Sequence, residues 1–462
     1  MNTHWLIEQY NNNPHKIAMI FRDKNYTFEA VYQQSMALAE RIKSLETKRI
    51  GLLIHNSSDA YFLINACMLV GVEIVMINSR LTHDEITKQL ADVDVDVVIA
   101  TQPLHSDSLT VYSYESLMDM DSVSFEVESY DDDDILSIMF TSGTTGRAKA
   151  VKQTYGNHFA SDTRCRAGMG YSEDSVWLLV NPIFHISGLS IVFRTLINGC
   201  TLVINEKFNE QSIIDLMNTH AVTHTSFVPI MLERLIDCEF DWTRLEGVLL
   251  GGAGVRTPLL KRALEQNIRV FNSYGMTETM SQMIMIPYND SKILDGAVGK
   301  IINNEIILNE DSNALVNLPV VTPGYLNAEI NTSDGYFNTG DIGHIDDEGY
   351  LYILDRRQDL IISGGENIYP SEIEKVVHGV LPDVECVVVK KADDVWGEVP
   401  VLILECEEEA NIISRLQLVF DEKLSRYKHP KDVLFVREIE RTSTGKISRL
   451  LNREKFIVNK DL

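Results

Sequence analysis

The chain has 462 residues, 45% apolar and 23% charged, with a formal net charge of −26. That length asks for more than one domain, and the composition is that of an ordinary globular protein. So large an acidic excess excludes nonspecific nucleic-acid binding and adhesion to anionic membrane, so cations needed by an anionic ligand must be local.

The first fifteen residues are polar and lack the apolar centre of a secretory signal. Periodicity predicts helices over 28–45 and 60–70 and strands over 50–54 and 72–77. The most apolar stretch, 61–77, is interrupted by Asn65 and Glu73 and is too short and polar to span a bilayer. Asp131, Asp132, Asp133 and Asp134 read as a solvated linker rather than a metal site. An apolar run, 135–140, then predicts a buried strand, and further strands are predicted over 176–180, 201–204, 247–250 and 269–272. This alternation points to α/β layers with largely parallel sheets. A mixed, turn-rich region covers 290–347. Near Asp355 the texture changes. A helix over 372–377, opened by a capping box of Ser371 and Glu374, joins strands over 386–390 and 399–404 and a helix near 412–424 in a small α+β domain. Six cysteines (Cys67, Cys165, Cys200, Cys238, Cys386 and Cys406) contain no C-x-x-C pair, which predicts reduced thiols and a cytoplasmic location.

The 135–140 run leads into Thr141-Ser142-Gly143-Thr144-Thr145-Gly146-Arg147-Ala148-Lys149. Four hydroxyl residues and two glycines occupy its first six positions. Such a loop can turn backbone N–H groups inward as an anion nest, with Arg147 and Lys149 adding charge. It is not the G-x-x-x-x-G-K-[ST] loop, because Ala148 stands where the second glycine is required and Ala150 follows Lys149. By itself it leaves an ordinary Ser/Gly/Thr surface loop open.

Further segments follow in a definite order. They are Asn181-Pro182-Ile183-Phe184-His185-Ile186-Ser187-Gly188-Leu189 and Ser273-Tyr274-Gly275-Met276-Thr277-Glu278. Then come Gly335-Tyr336-Phe337-Asn338-Thr339-Gly340-Asp341, Asp355-Arg356-Arg357-Gln358-Asp359 with Gly364-Gly365-Glu366-Asn367, and Arg441-Thr442-Ser443-Thr444-Gly445-Lys446-Ile447. Together with the loop, and over essentially the whole chain, they resemble the acyl-adenylate-forming superfamily of acyl- and aryl-CoA synthetases, carrier-protein adenylation domains and firefly-type luciferases.

The resemblance implies an α/β fold with a large multi-layer N-terminal domain, 1–355, of mixed sheets and a distorted β-barrel. A small mobile α+β lid, 356–462, would follow. It implies ATP, Mg²⁺ and coenzyme A, with no nucleic-acid partner and no stable membrane insertion, and leaves a homo-oligomer open. Glu278, a hard oxygen ligand, would hold Mg²⁺, and Thr277 would contact the α-phosphate. Asp341, an acceptor, and Arg356, a donor, would suit the ribose. Lys446 would neutralise charge at the reacting phosphorus. Thr141, Ser142, Gly143, Thr144, Thr145, Gly146, Lys149, Gly251, Gly252, Ala253, Asn272, Ser273, Tyr274 and Gly275 would complete the ATP site. The small domain would turn about Gln358 and Asp359, and Gly364, Gly365 and Trp396 would shape the thiol path. Departures from the pattern are Ala148 and Ala150, Gln358 at the hinge and Glu440 before the last motif.

For the acid, His185, Ser187, Gly188, Arg194 and Ser226 are the pocket candidates, with His185 also gating the thiol. Glycines that let a flat ring approach the backbone suit an aryl acid, and the His185 region offers no Asp for an amino-acid ammonium. The resemblance is greatest to the branch that joins 2-succinylbenzoate, a dicarboxylate of menaquinone biosynthesis, to coenzyme A. Arg194 is then either the partner of the second carboxylate or half of a structural salt bridge. Another aryl- or acyl-CoA synthetase, a carrier-protein ligase and a noncatalytic acyl-nucleotide sensor remain open as alternatives.

Overall fold

The computed structural model describes residues 2–127, 129–141, 148–252, 254–255, 257–310, 313–356, 359–382, 384–408, 410–440, 447 and 449–458. The chain divides into two compact units. The first comprises Met1–Ser79, Leu90–Phe140 and Ala150–Leu354; the second comprises Arg80–Gln89, Thr141–Lys149 and Asp355–Leu462.

An eight-stranded sheet organises the first unit. Its order is Ser281–Pro287, Val270–Met276, Gly247–Leu250, His224–Phe227, Val176–Leu179, Thr201–Ile204, Ile17–Phe21, Lys24–Thr27. Its inner pairs are parallel, and only the edge pairs are antiparallel. The central strand Val176–Leu179 is apolar throughout because both its faces are covered. Trp177 and Leu179 pack with Leu189 and Phe193 of the helix Ile186–Asn198 on one face, while Leu178 and Val180 join Phe227 and Val248 on the other. Successive side chains of a strand point to opposite faces, so a doubly covered strand needs an unbroken apolar run.

A six-stranded sheet runs Thr110–Ser113, Val97–Ala100, Arg49–Leu53, Glu73–Met76, Ile135–Thr141, Lys149–Thr154, with its first four junctions parallel. The helices Phe28–Lys43 and Ser58–Val70 start where Thr27 and Ser57 accept backbone N–H groups of the first turn. A third, antiparallel sheet uses Gly299–Lys300, Tyr350–Arg356, Tyr336–Ile345, Asn313–Val316 and Ile306–Leu308. It lies in the turn-rich part of the chain, and its described pairings run as an open path.

In the second unit, the long hairpin Cys386–Asp393 and Gly397–Glu405 is covered by the helices Pro370–Val380 and Ala410–Lys423 through Ile373, Val377, Leu416 and Phe420. Ser371 is not the N-cap residue that the expected Ser371/Glu374 capping box requires. The helix starts earlier, with Pro370 in its first turn and Tyr369 as the N-cap residue. Glu374 instead accepts from the Val388 N–H at 2.8 Å and pairs with Arg449 at 2.6 Å. Tertiary partners have claimed the carboxylate. Among the described residues no helix is long and apolar enough to cross a membrane, and all six cysteines are free thiols.

The strand order reverses between Val176–Leu179 and His224–Phe227: one leads on to Thr201–Ile204, the other to Gly247–Leu250. In open α/β sheets the crevice beyond the strand carboxyl ends at such a reversal is where ligands bind. Asn181 and His185 follow one of these strands, Ser226 sits near the end of the other, and Gly251 follows the next.

Candidate active site

The turn carrying Thr277 and Glu278 joins two antiparallel strands, Val270–Met276 and Ser281–Pro287, and has unusual local geometry. Met280 and Ser281 both have positive φ, 51° and 94°. Gly275 is required by close approach, since a Cβ there would lie 1.7 Å from the Ser281 carbonyl oxygen. Such a turn persists only where its surroundings over-determine it. Three carbonyls along it are held from outside. Gln153 Nε2 donates to Thr277 O at 3.2 Å, the Thr322 N–H to Glu278 O at 2.8 Å, and Ser161 Oγ to Met280 O at 2.6 Å. Glu278 is 9% exposed, and its Oε1 accepts from the Tyr325 hydroxyl at 3.0 Å. Gln153 is backed by a buried chain: Ser137 Oγ donates to Gln153 Oε1 at 2.7 Å, and His158 Nε2 lies 2.9 Å from Ser137 Oγ. Because the serine hydrogen is already used, His158 Nε2 must be the donor. Burial, helped by the charge of Arg194, pushes the His158 pKa down to about 3, so the imidazole is neutral.

Asp341 is fully buried; its Oδ2 accepts from Tyr274 at 2.7 Å and its N–H donates to Thr339 at 3.1 Å. Asn272 donates to the Ala297 carbonyl at 3.2 Å, and Ser273 Oγ to the Leu250 carbonyl at 3.0 Å. That serine explains Gly251, where a Cβ would lie 2.5 Å from Ser273 Oγ, while Gly252 has φ +82°. The two glycines thus answer to the fold itself. Asn181 Nδ2 donates to the Ser226 carbonyl at 3.2 Å and lies 3.4 Å from its hydroxyl, spanning the point of strand reversal. Gly188 admits the preceding loop, since a Cβ there would meet the Pro182 carbonyl oxygen at 2.3 Å. His185 is the N-cap residue of the Ile186–Asn198 helix, its ring 4.7 Å from that of Phe184, and Ser187 lies half-buried in the first turn.

Arg194 lies two turns further along this helix. It is 1% exposed, and its Nη2 donates to Gln282 Oε1, while Nε and Nη1 have no hydrogen-bond partner. The structural salt bridge weighed from sequence is absent: among the described residues no carboxylate pairs with it. Asp162, a charge near it, instead bonds Tyr171 at 2.7 Å and Asn198 at 2.8 Å.

In the second unit Gly364 has φ +57° and Gly365 has φ +86°. A Cβ on Gly364 would lie 2.7 Å from the Trp396 ring, which is about half exposed. Asp393 Oδ1 accepts the N–H groups of Val395 and Trp396, both at 2.9 Å, and these bonds lower its pKa. Asp359 pairs with Arg449 at 3.5 Å. Thr141 ends one strand and Lys149 begins another. Ser142, Gly143, Thr144, Thr145, Gly146, Ala253, Gln358, Lys446 and the Arg356 side chain lie outside the described residues.

Residues 6–329 match the family model for the AMP-binding enzyme, and residues 372–446 match that for the AMP-binding enzyme C-terminal domain. The chain belongs to the AMP-binding enzyme family. This AMP-binding enzyme is 40% identical to a 2-succinylbenzoate–CoA ligase of Staphylococcus epidermidis, with 96% of each chain covered. It is 38% identical to the ligase of that name from Staphylococcus aureus, over 96% of this chain and 98% of the other. It also resembles o-succinylbenzoate coenzyme A synthetase of Bacillus subtilis. A double mutant of that synthetase bound to the product analogue OSB-NCoA superposes with a TM-score of 0.91 at 33% identity, covering 98% of both chains. The same synthetase with ATP and a magnesium ion superposes with a TM-score of 0.74 at 33% identity, over 97% of this chain and 99% of the other.

Of the residues that hold the turn, Gln153, Ser137, His158, Ser161, Thr322 and Tyr325 were not singled out from sequence. Gln153 and His158 had one local signal, the Thr154-x-x-Asn157 capping box between them, which forms and marks a helix start at that point. Thr322 and Tyr325 had none, since over forty residues separate them from Glu278.

Proposed function

We propose that this AMP-binding enzyme joins 2-succinylbenzoate to coenzyme A through an acyl-AMP intermediate, within menaquinone biosynthesis. The observation that carries the reading is Arg194. A guanidinium buried with no carboxylate hydrogen-bonded to it is costly unless something anionic meets its idle N–H groups, and this one lies below the helix end that bears His185. A second carboxylate on the acid is the complementary group. Relatives that bear the ligase name along nearly their whole length support the same substrate.

In the first half-reaction a carboxylate oxygen of the acid attacks the α-phosphorus of ATP and pyrophosphate leaves. In the second, the thiol of coenzyme A attacks the acyl carbonyl and AMP leaves. No cysteine of this chain takes part. Glu278 would hold Mg²⁺. A single carboxylate fits that ion, which keeps waters and takes substrate phosphates as its other ligands, and it neutralises phosphate charge when bound. Thr277 would contact the α-phosphate, Asp341 the ribose, and Lys446 would stabilise charge developing at phosphorus. The Gly/Thr loop would grip the departing phosphates. We assign the nucleotide and the acid to 1–355, and the lysine loop and Gly364-Gly365 to 356–462, which would turn near 356–359. Six free thiols support a reducing, cytoplasmic setting.

A panel of acids assayed for pyrophosphate release and CoA thioester formation tests the substrate. With 2-succinylbenzoate both products should appear. If other acids give both and 2-succinylbenzoate neither, the substrate assignment is wrong.

A further inference from the structure

The helix Ile186–Asn198 carries Ile186, Ser190 and Arg194 at four-residue intervals, one below another on a slowly winding face. By helical rise, Ser190 lies about 6 Å and Arg194 about 12 Å along the axis from Ile186. Both polar side chains are buried, at 3% and 1% exposure. A serine buried inside a helix ordinarily donates to the carbonyl four residues back. Ser190 does not, and its Oγ has no hydrogen-bond partner, just as Nε and Nη1 of Arg194 have none. Two sets of idle donors, one neutral and one cationic, therefore stand a helical turn apart on one line from the His185 end. Gln282, a neutral amide, orients the guanidinium without cancelling its charge.

The order of polar groups in 2-succinylbenzoate is the same. Its activated carboxyl is followed by two methylenes, an internal ketone, and a ring that carries the second carboxylate in the ortho position. We infer that Ser190 is a specificity-determining residue that donates its hydroxyl hydrogen to the internal ketone of the acid. This rests on the substrate reading above, in which Arg194 meets the ring carboxylate. A neutral hydroxyl is the matching donor for a neutral ketone. A site that offers a buried donor discriminates against an acid that lacks the acceptor, because the donor is then left unmet.

The test compares 2-succinylbenzoate with its deoxo analogue, 4-(2-carboxyphenyl)butanoate, by pyrophosphate release. The wild type should prefer the keto acid in kcat/KM by roughly ten- to a hundred-fold. Ser190→Ala should abolish most of that preference by losing activity on the keto acid, with the deoxo acid unchanged within about two-fold. Ser190→Thr, which keeps the hydroxyl, should retain the preference. Equal losses on both acids in Ser190→Ala, or an unaltered preference, would overturn the inference while leaving 2-succinylbenzoate as the substrate. A wild type that activates neither acid overturns both readings.

Discussion

Arg194 holds a full charge inside the protein, and the neutral His158 lies within its field, so each makes a separate demand on conditions. A buried cation with no carboxylate paired to it destabilises the ligand-free protein, and Arg194→Met removes it at similar volume. Thermal melts should show this variant more stable than the wild type without acid and no longer stabilised by 2-succinylbenzoate, with KM for that acid raised roughly ten- to a hundred-fold. A variant that melts lower and still gains from the acid would contradict the assignment. His158 governs acid sensitivity. Unfolded histidine takes up a proton near pH 6.5, at about its ordinary pKa, whereas the folded residue refuses it until about pH 3. Between those values unfolding binds a proton, so stability falls as pH falls. His158→Gln, which can still donate to Ser137, should lose about 2 kcal/mol less than the wild type between pH 7 and pH 5 in denaturant titrations.

The element that matters most is the Thr277 turn, because its strained backbone is held by residues of three distant segments. Gln153→Met removes the donor to the Thr277 carbonyl and leaves both that oxygen and Ser137 short of a partner. The adenylation kcat should fall about ten-fold or more, with KM for the acid moved much less, since the loss is of positioning rather than of acid binding. Half-reaction kinetics would check the split. The elements themselves were legible where the physics is local. The strands Thr201–Ile204 and Gly247–Leu250 have the bounds that their apolar runs predict, because strands buried on both faces announce themselves. The turn motif and Gly275 were legible as a pattern, but their supports were not. Ser161, Thr322 and Tyr325 reach the turn only through tertiary folding, which no periodicity records. Tertiary folding likewise placed the Glu374 carboxylate with Val388 and Arg449, while the helix starts before Ser371.

Across the whole molecule, the order of motifs along the chain was the legible quantity, and it carries the two half-reactions. The candidate residues Asn181, Ser226 and Gly251 stand at or just past the carboxyl ends of neighbouring strands because the sheet order reverses there. Arg194 was legible only as a candidate for holding the acid, because burial without a paired carboxylate is a property of packing. The two steps should separate by mutation. If Lys446 has its proposed role at phosphorus, Lys446→Ala should cut acyl-AMP formation by about a hundred-fold or more, yet leave thioester formation from supplied acyl-AMP largely intact. Gly364→Leu should do the reverse. Its φ of +57° disfavours any side chain, and the new Cβ would lie 2.7 Å from the Trp396 ring, so the segment assigned to the thiol path must rearrange. Pyrophosphate release in single turnover should therefore stay near the wild-type rate while thioester formation from acyl-AMP falls. Equal loss of both steps in either variant would mean that the two residues do not divide the reaction between them.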